Sequence, residues 1–348
     1  MSEKKAEKKI LNLDDFIKAS KKSFGQDSII DLEKDGSYGD VIPFSSFSLN
    51  NALGIGGIAK NKITTFDGDS QSGKSTTSYD AIAQCQKVYK EPCLLIDKER
   101  SATTDYLHKL GVNTSKDLLT ILNPKTLEEM YEAILMALES KLFGCIVVDS
   151  VTSFAPSARF EDSVVMGLES RVNSDKMRLV NDAVPTSNCA LILVQQIRQS
   201  IGKIGDPTVV SGGLAIPFYA HVRVRITRSK IDRENQENVM KFTIIKNKLG
   251  VPFKVGTVVF NWNKGFDSAS EIAELAVEFG LIKQDKKTYI LEKAENGEDL
   301  KIVGKKKVIE FLNTNIDYRD KYIKPALEEK LKSTELRIDE IREEEISM

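Results

Sequence analysis

Short, nearly continuous apolar runs alternate with helical patterns through the middle of the chain. The apolar runs predict strands at 62–67, 93–97, 118–122, 144–149 and 189–195. Apolar residues at helical spacing between them predict helices over 74–90, 103–111, 126–141 and 169–186. Strands that are apolar on both faces and alternate with helices are typical of a parallel sheet covered on both sides. We therefore expect an α/β fold with a mostly parallel central sheet.

The segments on either side of this region have different patterns. Residues 10–25 place apolar side chains at helical spacing and end in glycine, which predicts an amphipathic helix. Such a helix either docks on another molecule or packs on its own domain, and the pattern alone does not decide. After residue 220, HVRVRIT and KFTIIK alternate as half-exposed antiparallel strands do, with IDRENQENV as the hairpin turn between them.

The end of the chain predicts a smaller domain of its own. A helical stretch, ASEIAELAVEFG, begins at about residue 269 and opens a lysine-rich segment, and the last residues are strongly acidic. The predicted organisation is an N-terminal helix and linker (1–35), an α/β core (36–268), a small α+β domain (269–332) and an acidic tail (333–348).

The overall composition indicates no particular partner. The chain of 348 residues has 50 Lys and Arg against 51 Asp and Glu, so any nucleic-acid site must be a local patch. Its four cysteines are widely spaced among apolar residues, which argues against a disulfide framework or a cysteine zinc site. The N-terminus lacks a signal peptide's apolar run and no stretch is long enough to span a bilayer, so we expect a cytoplasmic protein.

The strongest motif is GDSQSGKS at residues 68–75, which matches G-x-x-x-x-G-K-[ST]. A chance match in a chain of this length has a probability on the order of one in a hundred. Gly68 and Gly73 let backbone amides turn toward phosphates, and Lys74 would reach the terminal phosphates. The predicted nucleotide-binding residues in and beside this loop are Gly68, Asp69, Ser70, Gln71, Ser72, Gly73, Lys74, Ser75 and Thr76.

Hydrolysis of a bound nucleotide needs a metal ligand and a residue that orients water. Asp149 ends the apolar strand GCIVVD, so it would join the Ser75 hydroxyl in holding Mg²⁺. Glu99 lies two residues past the predicted strand that ends at Asp97. Because ligands bind at the carboxyl edge of such sheets, Glu99 is the candidate for orienting water, although a surface glutamate would show the same pattern.

From about residue 10 to 330 the chain resembles the bacterial RecA recombinases. The segments that carry the resemblance are FSLNNALGIGGIAKNKITTFDGDSQSGKS, LLIDKERSATTDYLHKLGV and IVVDSV. The resemblance implies a RecA-like P-loop ATPase core, places the catalytic glutamate at Glu99, and places an aromatic ring that stacks on adenine at Tyr106. It also implies that Asp149 is the metal-binding aspartate.

Two further segments resemble the DNA-binding loops of that family. VQQIRQSIGKIGDPTVVSGGLAIPFYAHVRVRI, at 194–226, is similar to the γ-phosphate-sensing glutamine, here Gln196, followed by the second loop. PSARFEDSVVMGLESRVNSDKMR resembles the first loop and its helix. The DNA-binding residues that we predict are Met166, Gly167, Arg171, Ser174, Arg178, Arg198, Ile201, Gly212 and Gly213. Arg171 and Arg178 are seven residues apart on a predicted helix, hence on one face.

IIKNKLGVPFK, at 244–254, resembles the segment whose two lysines reach the ATP of a neighbouring subunit. These are Lys246 and Lys248, which face the same side if both lie on one strand. The resemblance thus implies ATP and Mg²⁺ as cofactors and a homo-oligomeric helical filament that binds single-stranded DNA and pairs it with double-stranded DNA. The first and second loops are shorter than the bacterial pattern, and Leu214 and Pro217 replace polar or basic residues, so contacts in both loops are less secure than the nucleotide site.

Two other classes of function, a ring ATPase and a recombination mediator, are possible on the same core. Among ring ATPases, a RadA-like branch-migration enzyme should carry a paired-cysteine zinc ribbon, and a replicative helicase should carry a long N-terminal collar domain. Neither feature is evident in the sequence. A recombination mediator that acts as a scaffold would not need Glu99, Gln196 and two interface lysines.

Overall fold

A computed structural model describes residues 12–25, 29, 39–158, 167–199, 208–210, 212–232, 237–262, 265–295 and 298–331. The chain divides into two compact units, Met1–Gly39 and Asp40–Met348. In the first unit, helix α1 spans Leu13–Phe24 and is capped by the Asn12 side chain, which accepts a hydrogen bond from the backbone of Asp15. This agrees with the predicted amphipathic helix.

The second unit is organised around a ten-stranded sheet. Its strands are β3 (Ile63–Gly68), β4 (Cys93–Asp97), β5 (Leu119–Leu122), β6 (Cys145–Asp149), β7 (Ala190–Gln199), β8 (Thr208–Val210), β9 (Val222–Asp232), β10 (Glu237–Asn247), β11 (Val255–Asn261) and β12 (Gly265–Phe266). Their order is β12-β11-β10-β9-β3-β7-β6-β4-β5, and β8 pairs with the end of β7. A separate two-stranded ribbon joins β1 (Val41–Ile42) to β2 (Ile58–Ala59).

The six strands from β9 to β5 in this order are parallel, which confirms the predicted fold class. The strands β3, β4 and β6 are buried along their whole length because helices cover both faces. The predicted hairpin is also present, since β9 and β10 pair antiparallel over most of their length.

Helices on the two faces of the sheet enclose separate apolar clusters. The helices of this region are α2 (Phe47–Leu53), α3 (Lys74–Tyr89), α4 (Thr104–Lys109), α5 (Leu127–Ser140), α6 (Leu168–Ala183) and α7 (Ala215–Tyr219). Alternation along each strand divides its side chains between the clusters: Val147 packs in one and Val148 in the other. The predicted helix at 169–186 ends earlier, because Pro185 lies in a 3₁₀ turn over Val184–Thr186.

The C-terminal part of the second unit has its own apolar cluster. It comprises α8 (Ser268–Glu278), the antiparallel strands β13 (Ile282–Asp285), β14 (Thr288–Glu295) and β15 (Glu298–Val303), then α9 (Lys305–Thr314) and α10 (Ile316–Tyr318). Buried Glu271 of α8 accepts hydrogen bonds from the backbone of Phe47 and Ser48 at the start of α2, which ties this part to the core. The boundaries predicted at 36–268 and 269–332 stay a prediction, and the acidic tail lies outside the described residues.

Within the described ranges, no helix combines the length and the apolar character that crossing a membrane would require.

Candidate nucleotide site and nucleic-acid interface

The phosphate-loop motif connects β3 to the start of α3. Gly73 is the N-cap of α3 with φ 104°, a left-handed conformation that favours glycine. A Cβ at Gly68 would collide with the backbone oxygen of Ile226, and one at Gly73 would collide with the Met240 side chain. Both glycines therefore allow the loop to pass close to its neighbours and present the N-terminus of a 16-residue helix, where anions bind.

Lys74 lies buried at this loop. Its Nζ donates hydrogen bonds to the backbone oxygens of Gly68 at 3.0 Å and Asp69 at 2.6 Å. Burial lowers the pKa of Lys74, while the carboxylates of Asp149, Asp69 and Glu99 act in the opposite direction. The ammonium group is thus held at the loop by oxygen atoms that a phosphate could replace.

Asp149 lies at the carboxyl end of β6, close to the start of α3. It accepts a hydrogen bond from the Tyr79 hydroxyl at 3.3 Å, and the Ser75 side chain hydrogen bonds to it as well. Burial is the main cause that raises its pKa, and the nearby charges of Glu99 and Asp97 raise it further. Such a carboxylate is better stabilised beside a cation.

The hydroxyl and carboxylate oxygens of Ser75 and Asp149 are hard ligands of the kind that Mg²⁺ prefers, so the pair fits a magnesium ion that is otherwise held by phosphate and water. No set of three or more His, Cys, Asp or Glu side chains in the described part of the chain is arranged to hold a metal on its own. Because Mg²⁺ takes about six oxygen ligands, Ser75 and Asp149 would leave most of its coordination positions to phosphate and water.

Glu99 is held at the same edge of the sheet by three donors. Its Oε1 accepts from Ser153 at 2.8 Å, from Ser150 at 3.3 Å and from Nε2 of Gln196 at 3.4 Å. Both serines follow β6, and no sequence pattern predicted that they would contact Glu99. The available signal was that Ser150 directly follows Asp149. The hydroxyls fix the carboxylate in one orientation, as a residue that positions water requires.

Gln196 lies beside Gly68 because β3 and β7 pair in parallel with these two residues in register. Its side chain reaches Glu99, and β7 continues beyond it to Gln199. The structure therefore brings Gln196 together with Glu99 at the edge of the phosphate loop.

Tyr106 lines an open cavity of about 200 Å³ beside the phosphate loop. Its hydroxyl hydrogen bonds to Thr76 across 2.7 Å, so its ring is anchored to the start of α3. The predicted loop residues that line the cavity are Gln71, Ser72, Gly73, Lys74, Ser75 and Thr76. Asp69 lies in the loop, where its backbone oxygen accepts from the Lys74 ammonium, and Ser70 is exposed.

No sequence motif predicted the remaining part of the cavity wall. It is formed by the sheet residues Arg228, Asn238, Met240 and Phe260 and by Trp262, which is 45% exposed. These residues are distant in sequence from the motif, and the only signal was that Trp262 is the single tryptophan of the chain.

The predicted DNA-binding helix is α6. Gly167 is its N-cap with φ 78°, and Arg171, Ser174 and Arg178 are exposed along it. The two arginines share one exposed face, as predicted. Met166 and Ile201 lie outside the described residues. Arg198 lies on β7 opposite Val209 of β8, and its side chain is outside the described part.

Gly212 and Gly213 pack against α6. Both have φ near +90°, and a Cβ at Gly212 would lie 2.8 Å from Nδ2 of Asn173. A Cβ at Gly213 would lie 2.7 Å from Oγ of Ser170. These two positions therefore need glycine because a side chain would prevent packing against the helix. The sequence did not show this reason. Contact of the two glycines with DNA stays a prediction.

Lys246 and Lys248 were predicted to lie on one strand, but only Lys246 lies on β10. A bulge lies between Ile244 and Lys246, and β10 ends at Asn247, so exposed Lys248 lies past the strand. Nζ of Lys246 donates to the backbone oxygens of Pro217 at 2.9 Å and Phe218 at 2.8 Å. Partial burial, followed by the charges of Lys248 and Arg223, lowers the pKa of Lys246 to about 8.

The fold and the phosphate loop define this protein as a P-loop ATPase with a RecA-type sheet. The profile of the RecA N-terminal domain matches residues 11–267. RecA of Mycoplasma mycoides is 34% identical over 312 residues, covering 87% of this chain and 88% of that protein. RecA of Psychrobacter arcticus is 35% identical over 270 residues (75% and 76%), and RecA of Acinetobacter baylyi 33% over 302 residues (84% of each).

The chain therefore belongs to the RecA family. The similarity to RecA proteins confirms the prediction of a recombinase with DNA-dependent ATPase activity. It favours this function over a ring ATPase or a mediator that acts as a scaffold.

Proposed function

We propose that this protein assembles with ATP and Mg²⁺ into helical filaments on single-stranded DNA and exchanges that strand with a homologous duplex. The observation that carries the proposal is the position of Gln196. It lies beside Gly68 of the phosphate loop, contacts Glu99, and precedes the segment that resembles the second DNA-binding loop. A side chain in this position can respond to the γ-phosphate and to the loop at once.

Different residues of the chain would contact the phosphates, the base, the metal ion and the attacking water. Lys74 and the amides of residues 68–75 bind the phosphates, and Tyr106 and Trp262 provide aromatic faces for the base. Ser75 and Asp149 would hold Mg²⁺, which would neutralise charge on the phosphates. Glu99, oriented by Ser150 and Ser153, accepts a hydrogen bond from the attacking water and places it in line with the γ-phosphate.

DNA would be held mainly through its backbone. Arg171 and Arg178 on α6 would supply positive charge. Arg198 and Ile201, predicted from the resemblance of the second loop, would contact the same strand. Phosphate contacts leave the base edges free for pairing, so binding would be salt-sensitive and largely independent of sequence. Complementarity is then tested by base pairing with the duplex.

Lys246 and Lys248 would complete the ATP site of the adjacent protomer. Positive charge supplied by a neighbour stabilises a transferring phosphoryl group, which couples hydrolysis to assembly. Helix α1 would dock on the adjacent subunit through the exposed Leu13 and Phe16. Duplex DNA would be guided by the C-terminal lysines Lys301, Lys305, Lys306 and Lys307, of which Lys305 is paired with Glu274. The acidic tail would compete with duplex DNA for these lysines.

Strand exchange between circular single-stranded DNA and homologous linear duplex tests this function. We expect joint molecules and then nicked circles with ATP, and none without nucleotide. Lys74→Ala serves as the control, because it removes the ammonium from the phosphate loop. Displacement of a strand from a duplex that lacks homology would indicate a helicase, and binding of DNA without any joint molecules would indicate a scaffold.

A further inference from the structure

A buried asparagine joins the two DNA-binding segments in the structure. Asn173 lies on α6, and its side chain is almost completely buried. Its Nδ2 donates to the backbone oxygen of Gly212 at 2.7 Å, and its Oδ1 accepts from the Tyr131 hydroxyl of α5 at 2.8 Å. One side chain thus connects helix α5, helix α6 and the residues that follow β8.

The chemistry of the partners fixes the orientation of this amide. A backbone carbonyl can only accept a hydrogen bond, so the NH₂ group must face Gly212. The amide oxygen then faces Tyr131, whose hydroxyl donates. Tyr131 is fully buried, and losing either bond would leave a buried polar group without a partner.

Close packing of Gly212 and Gly213 against helix α6 reinforces the contact that Asn173 makes. The helix side chains of Asn173 and Ser170 occupy the space where Cβ atoms of Gly212 and Gly213 would lie. Arg171, Ser174 and Arg178 are exposed on the same helix. The end of the second loop is therefore packed on the helix that presents the predicted phosphate-binding arginines.

We propose that Asn173 is a positioning residue that fixes the end of the second DNA-binding loop on helix α6, so that both segments grip one strand as a single surface. The inference rests on the proposed DNA-binding role of these segments. It assigns Asn173 no contact with DNA or nucleotide.

Three variants separate positioning from simple stability. Asn173→Leu removes both hydrogen bonds at similar volume. Asn173→Asp keeps an acceptor for Tyr131 but places a second acceptor against the Gly212 oxygen. Tyr131→Phe, the matched control, removes a buried hydroxyl from the same cluster and leaves the bond from Asn173 to Gly212 in place.

The readout is the concentration of single-stranded DNA that gives half-maximal ATP hydrolysis, with the rate at saturating DNA and the thermal midpoint measured in parallel. Loss of one buried hydrogen bond, such as that from Asn173 to Gly212, corresponds to roughly tenfold weaker binding of DNA. We expect both Asn173 variants to need about tenfold more DNA while keeping the saturated rate, and Tyr131→Phe to shift by less than about threefold. An unchanged DNA requirement in the Asn173 variants, or an equal shift in Tyr131→Phe, would overturn the inference.

Two further measurements complete the test. If wild type itself shows no DNA stimulation, the proposed function fails; if wild type is stimulated and the Asn173 variants match it, only the inference fails. Amide hydrogen exchange of wild type without DNA tests the tie without any substitution. Slow exchange of the Asn173 side-chain NH₂ protons, which donate to the Gly212 oxygen, is expected in NMR spectra, and exchange as fast as in an unstructured peptide would contradict the proposal even if no variant folds.

Discussion

Nε2 of Gln196 lies 3.4 Å from Oε1 of Glu99, so the proposed γ-phosphate sensor and the residue proposed to orient water share one hydrogen bond. The distance is long for a strong bond, and the same Oε1 also accepts from Ser153 at 2.8 Å. Gln196 can leave Glu99 for a phosphate oxygen at little cost, because the serine keeps the carboxylate in place. In the proposed mechanism, this arrangement would link phosphate sensing to hydrolysis.

Glu99→Gln should lower DNA-stimulated ATP hydrolysis by about 10²–10⁴-fold, since an amide cannot accept the proton of water. Nucleotide binding should persist, because Glu99 does not line the cavity beside the phosphate loop. Steady-state phosphate release checks the rate. Ser153→Ala is the comparison variant and should lose only about tenfold or less, because Ser150 still donates to the carboxylate. Unaltered hydrolysis in Glu99→Gln would show that another residue orients the water.

Lys246→Ala should reduce hydrolysis by at least about 10²-fold if its charge acts on the neighbour's ATP. Mixing this variant with Glu99→Gln gives a sharp test. In random mixed filaments about a quarter of the interfaces combine an intact Glu99 with an intact Lys246. Activity should therefore rise well above that of either variant alone. Mixtures no more active than the separate variants would show that Lys246 acts on its own nucleotide.

Trp262 provides an intrinsic probe of the nucleotide cavity. It is the only tryptophan in the chain and lines the same cavity as Tyr106. Binding of a non-hydrolysable ATP analogue should change its fluorescence intensity or emission maximum, because an adenine ring would replace water at the indole. Lys74→Ala should require far more analogue for the same change. A signal unaffected by saturating analogue would place the base elsewhere.

His221 should make the fold sensitive to acid. Burial, aided by the charges of Lys62, Lys248 and Lys246, lowers its pKa to about 4, and its Nδ1 accepts a hydrogen bond from the backbone of Ile63. Between pH 6.5 and 4 the unfolded chain therefore binds more protons than the folded one. The stabilisation is complete above about pH 6.5 and is lost as pH falls toward 4.

His221→Asn keeps an acceptor for Ile63 without a titrating group, so it should remove this part of the pH dependence. The measurement is the difference in thermal midpoint between wild type and variant from pH 7 to pH 5. The difference is needed because buried Asp80, whose pKa is raised to about 6, shifts stability in the opposite direction over the same range. Parallel curves for the two proteins would refute the assignment.

Local patterns in the sequence predicted the sheet, the phosphate loop and the placement of Glu99 at the carboxyl edge, because each depends on residues that are close together in the chain. The cavity wall at Trp262 and the Asn173 tie depend on packing between distant segments, so no local pattern shows them. Lys248 was expected on the same strand as Lys246, but β10 ends at Asn247. Asp67 was read as part of a plain strand, yet it is fully buried and paired with Arg223 of β9.

The proposed mechanism requires that occupancy of the γ-phosphate position determines whether the loops hold single-stranded DNA. Fluorescence anisotropy of labelled single-stranded DNA, with a non-hydrolysable ATP analogue or with ADP, tests it directly. Wild type should bind at least about tenfold more tightly with the analogue, and Gln196→Ala should bind about equally weakly in both states. Equal affinity of wild type in the two nucleotide states, or a full difference retained by Gln196→Ala, would contradict the account.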